Sequence, residues 1–252
     1  MQFVAALQFL TVLRVRRAMP SMDDVARAQM LFPAVGLLLG LALVAVDRAA
    51  VRALPPQSVD VLLVVALVVL TGALHLDGLA DAADGLLGGR DAEHRLAIMR
   101  DPHAGTFAIV AVAAVLALKW AGLAALPADV RVEALVLTPC LARLAMVVCT
   151  AAFPYARPEG LGAGFRTHAR PAAIAGGVTA GVACVLLLGA GGLLPLAFGV
   201  ACGLAVGAFA SRMIGGVTGD VYGGTAEITE ALTLLFIAAM ANRGWLDAWL
   251  LG

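Results

Sequence analysis

Charged side chains are scarce in this sequence. Asp, Glu, Lys and Arg make up 13% of its 252 residues, 62% are hydrophobic, and the only lysine is Lys119. Mean hydropathy is +0.97. A soluble domain is nearer half apolar and a quarter charged, so a chain of this composition cannot hide its apolar surface from water. That excludes an ordinary soluble fold and points to an all-α, polytopic integral membrane bundle. Formal net charge is zero, so bulk charge selects no partner, and no basic stripe with interleaved aromatics suggests nucleic acid. Cysteine is sparse as well. Cys140, Cys149, Cys184 and Cys202 all lie in apolar runs without C-x-x-C spacing and read as small core hydrophobes, not as disulfides or metal ligands. The opening MQFVAALQFLTVLRVRR carries its positive charges after the apolar stretch and shows no clear small-residue cleavage site. This argues against a secretion signal and predicts an interfacial or re-entrant helix ending in Arg14, Arg16 and Arg17.

A spanning helix needs roughly 20 mostly apolar residues. Runs at about 30–47, 59–75, 105–126, 132–153, 172–189, 192–211 and 228–242 predict about six to seven transmembrane helices in a single domain over residues 1–252. Only GAGG separates the fifth run from the sixth, which suits a tight helical hairpin. Two polar, acidic stretches at about 75–104 and 212–230 read as loops, and long loops commonly carry function. With the N-terminus inside, Arg14, Arg16, Arg17, Arg27, Arg90, Arg95, Arg100, Arg157, Arg166, Arg170 and Arg212 fall on the cytoplasmic side. Arg48, Arg52, Arg131 and Arg243 fall outside. The positive-inside bias therefore places both acidic loops in the cytoplasm.

The stretch HLDGLADAADGLLGGR (75–90) sets Asp77, Asp81 and Asp84 at i, i+4 and i+7. On a helix these three carboxylates share one face, where they repel and are costly to desolvate near a bilayer. A hard cation such as Mg²⁺ relieves both problems and still keeps waters for a phosphate ligand. The alternative is a solvated helix end. Further on, GGVTGDVYGGTAEITEALTLL (215–235) supplies Asp220, Glu227 and Glu230 as candidates for a second metal site. Its Thr218, Gly219 and Asp220, with Gly215, Gly216, Gly223 and Gly224, are candidates for holding phosphate through exposed backbone N–H groups. The G-x-x-x-x-G-K-[ST] pattern of a P-loop is absent, and a Gly-rich turn capping a helix is the plain alternative. Paired carboxylate sites on one side of a membrane suit metal-assisted phosphoryl transfer.

Between them, RLAIMRDPHAGTFA (95–108) offers Arg95 and Arg100 to phosphate oxygens, against the alternative of positive-inside anchoring. Asp101 is either a base or a turn residue. His75 is either a ligand or general base or an interfacial histidine with its bonds satisfied; on a continuous helix it points away from Asp77. Arg143, in mid-span, should face the bundle interior and find a partner, while Lys119 should snorkel past Trp120. The segment YARPEGLGAGFRTHARP (155–171) adds Arg157, Glu159, Arg166, His168 and Arg170, either as an anion-binding lid or as a topology signal.

LQFLTVLRV near the start, FPAVGLLLG (32–40), HLDGLADAADG (75–85), IMRDPHAGTFA (98–108) and GGVTGDVYGGTAEITE (215–230) together resemble the cobalamin synthase family, the adenosylcobinamide-GDP ribazoletransferases. The stretch after Asp101 reads Pro-His where a Ser-Arg pair is a familiar alternative, so His103 is not carried over as catalytic. The resemblance implies a late step of coenzyme B12 assembly at the bacterial inner membrane, with Mg²⁺ required. In that step adenosylcobinamide-GDP accepts α-ribazole or its 5′-phosphate, and GMP leaves. It further implies Asp77, Asp81, Asp84, Asp220, Glu227 and Glu230 as metal ligands or substrate contacts, Arg100 as a phosphate clamp, and His75 or Asp101 as base. It leaves open a homo-oligomer or association with other cobalamin-assembly enzymes.

Two competing readings remain at this level. A CDP-alcohol phosphotransferase has a D-G-x₂-A-R…G-x₃-D-x₃-D pattern, but DGLADAADG meets it only in part and lacks the Arg, with Asp81 in the A-R pair. An ion-coupled transporter would carry its carboxylates near the bilayer midplane, whereas these cluster at one rim.

Overall fold

A computed structural model describes residues 1–157 and 163–246, so Glu159 of the expected lid lies outside the described residues. Among the described residues, eleven α-helices and three short 3₁₀ turns account for the regular structure. Helix α1 (Gln2–Leu10) is nine residues long and ends before the arginines. Arg14, Arg16 and Arg17 instead follow it, exposed, in an irregular segment, which corrects the expected helix end. The side chain of Gln8 supplies the reason, because it bonds the backbone N–H of Arg16 at 2.9 Å and the carbonyls of Arg16 and Ala18. These bonds fold the chain back locally and take the place of helical bonds.

Helix α2 (Met22–Ala28) is capped by Ser21 and runs through a 3₁₀ turn into α3 (Phe32–Ala50). The second apolar run was expected to span 59–75. It is cut instead into α4 (Pro56–Leu70) and α5 (Leu74–Gly88), which meet at 89°. Gly72 at φ +60° and Ala73 at φ +57° make the corner, a left-handed conformation that costs a non-glycine residue about 1–2 kcal/mol. The N-terminal segment props it: Val12 N–H donates to the Leu70 carbonyl at 2.9 Å, a group the broken helix can no longer pair. The acidic stretch 75–104 is therefore largely helical, as α5 and α6 (Ala92–Ile98).

Helices α7 (Thr106–Ala125) and α8 (Arg131–Ala152) follow the third and fourth runs closely. Helix α9 (Arg166–Leu188) and α10 (Leu193–Ile214) form the expected hairpin, turned by the 3₁₀ segment Gly189–Gly192. Helix α11 covers Gly219–Asn242. The stretch 212–230 is thus a short turn followed by helix, and Glu227 and Glu230 lie two to three turns inside α11. Among the described residues five helical stretches are long and apolar enough to cross a membrane, six with the bent pair α4–α5, and one of the five is the folded α9–α10 hairpin.

Helix α8 is the axis, with α3, α9, α10 and α11 packed around it and every residue from 134 to 147 buried. Small residues let the backbones close in, as suits a bilayer where lipid is as apolar as leucine and packing carries association. A Cβ on Gly36 would meet the backbone of Pro139 and Cys140, and one on Gly40 the backbone of Val136. All four cysteines are buried and free.

Backbone cannot yield as a flexible side chain can, so Gly36→Val is expected to destabilise the bundle by about 1–3 kcal/mol. Gly177→Ala, where a Cβ meets nothing within 4 Å, should be near neutral. Thermal unfolding in detergent checks both, and equal melting temperatures would contradict the α3–α8 contact.

Candidate functional site

The starts of α7 and α11 pack against α5, with α6 and α10 beside it. There Asp77 is exposed, Asp81 half-buried and Asp84 buried, so the shared face runs from solvent into protein. Helix α5 crosses α11 with the backbones in contact. A Cβ on Gly78 would lie 3.0 Å from the Asp220 carbonyl, and one on Gly223 would lie 2.9 Å from the His75 carbonyl. The crossing brings Asp77, Asp81, Asp84 and Asp220 together, joining the two acidic motifs.

Their roles diverge on contact. Asp84 accepts from the backbone N–H groups of Gly105, at 2.5 Å, and Ala108, at 2.9 Å. It therefore caps the start of α7, where the helix dipole favours a carboxylate. Asp220 pairs with Arg157 at 2.9 Å and accepts from the Thr218 hydroxyl at 3.2 Å. The ion pairs of the described residues engage Asp23, Asp47, Asp60, Asp101, Asp220, Glu227 and Glu230, leaving Asp77 and Asp81 uncompensated. Helix α5 is not among the five membrane-crossing stretches. Burial and then the neighbouring charges of Asp77, Asp220 and Asp84 push the Asp81 carboxyl up to about 6, with Arg157 opposing.

Asp77, Gly78, His75, Gly219 and Asp220 border a cavity of about 180 Å³. Its apolar wall includes Phe9, Phe165 and Tyr222. Phe165 is the hinge of this wall, edge-on to Phe9 with centroids 5.9 Å apart and 6.4 Å from Tyr222. Gln29 holds Phe165 by donating to its carbonyl at 2.8 Å. A larger groove of about 380 Å³ between α5, α10 and α11 is lined by apolar side chains and offers nothing to a phosphate.

Glu227 and Glu230 do not join the acid cluster, contrary to the expected second metal site. Lys119 bonds Glu227 at 2.7 Å and also Glu230, and Arg143 bonds Glu230. Side-chain exposure of the four groups is 5% or less. Two cations cancel two anions inside the bundle, so neither glutamate is free for an external cation. Lys119 was expected to snorkel and is instead a buried partner; Arg143 faces inward as expected. His75 is buried as well, its Nδ1 3.5 Å from Arg143.

The remaining candidates divide. Arg95 donates to the carbonyls of Leu86, at 3.2 Å, and Met213, at 3.3 Å, so it ties α6 to α5 and α10. Arg100 stands exposed after α6. Asp101 faces solvent beside His103, whose backbone and ring bonds hold its carboxyl below the usual range, and it borders a shallow depression apart from the cavity. Thr218 caps α11 by accepting from Val221 N–H at 3.3 Å. Gly215 and Gly219 keep open space, whereas Gly216 abuts Pro154 and Gly223 abuts α5. The expected phosphate cradle narrows to Gly215 and the first turn of α11.

Among the described residues no three Asp, Glu, His or Cys groups stand close enough to hold a metal ion by themselves. Asp77 and Asp81 still suit Mg²⁺, which is commonly held by one or two carboxylates completed by waters and substrate phosphate.

A family profile described as cobalamin-5-phosphate synthase matches residues 2–238. The chain belongs to that family. It is 42% identical over 239 residues to a protein of Pseudomonas paraeruginosa (strain DSM 24068 / PA7) named adenosylcobinamide-GDP ribazoletransferase, covering 93% of this chain and 96% of the relative. A Roseiflexus sp. (strain RS-1) protein of the same name is 41% identical over 239 residues, covering 94% and 88%. No solved structure matches significantly. Membership makes the chain a transferase of cobalamin biosynthesis.

Lys119→Met leaves two buried carboxylates with one cation and is expected to destabilise by about 3–5 kcal/mol. Lys119→Met with Glu227→Gln removes one charge of each sign and should recover most of that loss. Thermal unfolding decides; a single variant as stable as the parent would mean the glutamates are free for other ligands.

Proposed function

We propose that this chain joins adenosylcobinamide-GDP to α-ribazole, or to its 5′-phosphate, with Mg²⁺ bound at Asp77 and Asp81, in the cytoplasmic rim of the bacterial inner membrane. The observation that carries the reading is the convergence of uncompensated Asp77 and Asp81 with Asp220, Arg157 and an aromatic-walled cavity. The family supports the donor, and the arginine-rich end supports the orientation.

A hydroxyl of the ribose attacks the phosphorus carried by the cobinamide arm. A new P–O bond forms, and the bridging P–O bond to GMP breaks. GMP leaves with the electron pair, and the hydroxyl proton passes to a cavity carboxylate. Bound Mg²⁺ would neutralise the diphosphate and stabilise the leaving phosphate. Asp77 and Asp81 would hold that cation beside the donor phosphates. Arg157 exchanges its bond to Asp220 for phosphate oxygens, which its forked donors match. The first turn of α11 offers backbone N–H groups to the same phosphate. Phe9, Phe165 and Tyr222 give a flat base an apolar surface to lie against.

Detergent-solubilised protein should release GMP from adenosylcobinamide-GDP and α-ribazole only with Mg²⁺ present, and absence of turnover with both acceptors would overturn the assignment. Asp81→Asn should lower transfer by about 10²–10³ yet raise the melting temperature of metal-free protein, because it removes a crowded charge. The raised Asp81 pKa sets the pH sign. The folded state binds this proton more tightly than the unfolded one, so metal-free stability falls as pH rises through about 6. Stabilisation by Mg²⁺ should appear above that pH and vanish below it. An unchanged Mg²⁺ effect in Asp81→Asn would remove Asp81 from the metal site.

A further inference from the structure

Arginine has donors and no acceptor. With Arg143 Nη2 3.5 Å from His75 Nδ1, that ring nitrogen must present its lone pair. A neutral imidazole with a bare Nδ1 carries its proton on Nε2. A second proton on the ring would put a cation against Arg143 in a site whose anion, Glu230, is already paired with both Arg143 and Lys119. His75 is 1% exposed, and its Nε2 is buried with no hydrogen-bond partner among the described residues. Buried N–H groups are nearly always paired in a folded protein, so an orphan in a cavity wall calls for a partner that arrives with a ligand. His75 belongs to that wall, with Asp77, Gly78 and Asp220.

We propose that His75 is a fixed Nε2–H donor to a phosphate oxygen of the bound donor substrate, not the general base, and that Arg143 is the positioning residue that holds it in this tautomer. The proposal rests on the reading of this cavity as the transfer site. It gives the buried network a task in the chemistry: Lys119 and Arg143 share Glu230, Arg143 holds the ring, and the ring keeps one N–H for the phosphate of the donor. A donor set in advance does not reorganise as the transition state forms, which is where such groups contribute most. A base would instead need its lone pair toward the substrate, the opposite of what Arg143 permits.

Two experiments test it. In ¹⁵N-histidine-labelled protein in detergent at pH 7, the signals lost in His75→Gln should be those of a ring protonated at Nε2 and bare at Nδ1. Arg143→Lys should keep that pattern. Arg143→Met with Glu230→Gln, which removes a cation and an anion together, should abolish the preference. A proton on Nδ1, or a doubly protonated ring, overturns the proposal. In the transfer assay His75→Gln should stay within about tenfold of the parent kcat, since its amide can accept from Arg143 and donate at the Nε2 position but cannot act as a base. His75→Ala should fall by about 10²–10³, chiefly in kcat. If Gln is as poor as Ala while both fold, His75 is a base and the proposal fails. If the Arg143 pair does not fold, the parent spectrum and the His75 variants still decide. If the parent shows no transfer at all, the assigned reaction falls, and the spectrum alone judges the tautomer.

Discussion

Charge cancellation among Lys119, Arg143, Glu227 and Glu230 is the constraint on which the rest of the bundle depends. These four groups join α7, α8 and α11 where water is excluded. Each would be costly there alone; together they come to no net charge, and each oxygen pair meets a donor. A buried ionic set of this kind tolerates little sliding of one helix against another, because a displaced member becomes an uncompensated charge. It therefore fixes α11 axially against α7 and α8, and α11 carries Asp220 at its exposed end. Apolar packing alone, between surfaces rich in Ala, Val, Leu and Gly, would fix that register less sharply.

The corner between α4 and α5 acts on this fixed frame. A straight continuation from α4 would carry the acidic face of α5 away from α11. The left-handed pair Gly72 and Ala73, held by the Val12 to Leu70 hydrogen bond, turns the chain by 89°. Gly78 and Gly223 then let the two backbones touch. Two acidic motifs separated by more than a hundred residues become one site through a backbone conformation and two missing side chains. The strain at Ala73 is offset by contacts made elsewhere, as is common next to functional sites.

Much of this architecture was legible in the sequence, because apolar runs report spans directly and the i, i+4, i+7 spacing of Asp77, Asp81 and Asp84 reports a shared helical face. The helical hairpin at GAGG was legible for a similar reason, since three glycines in four residues cannot propagate a helix well. The corner was not, because the hydropathy of 59–75 passes through Thr71, Gly72 and Ala73 with little interruption. The acid groups divide by depth, and depth is a tertiary property. Asp220, Glu227 and Glu230 look alike on paper. Yet Asp220 sits in the first turn of α11, and the glutamates sit two to three turns deeper, opposite Lys119, which is 108 and 111 residues away in sequence. A single lysine beside a tryptophan near a helix end looks like an interfacial anchor until its partners are known. The signal that could have found the pairing was an imbalance: Lys119 and Arg143, two cations inside predicted spans, needed anions, and Glu227 and Glu230 stand at the start of the last apolar run.

The same division explains how one protein can be both acidic at its site and stable in a bilayer. The carboxylates that serve the fold are neutralised from within, by Lys119, by Arg143, by the start of α7 at Asp84, and at the opposite end by Arg131, which bonds Asp47 at 2.9 Å and Asp60 at 2.6 Å. Among the described residues Asp77 and Asp81 form no ion pair, Arg157 acting on Asp81 only from a distance, although arginines are plentiful at that end of the bundle. Their charge stays unrelieved in a position where a guanidinium could readily have been placed, so the energy of folding is not what selects them. Under the function proposed above, a site for a cation and a diphosphate would need anions whose neutralisation is left to the ligand, and repulsion among those acids would add to the free energy of binding. Charge repulsion at Asp81 and the proposed affinity for a hard cation would then be one property seen without and with ligand.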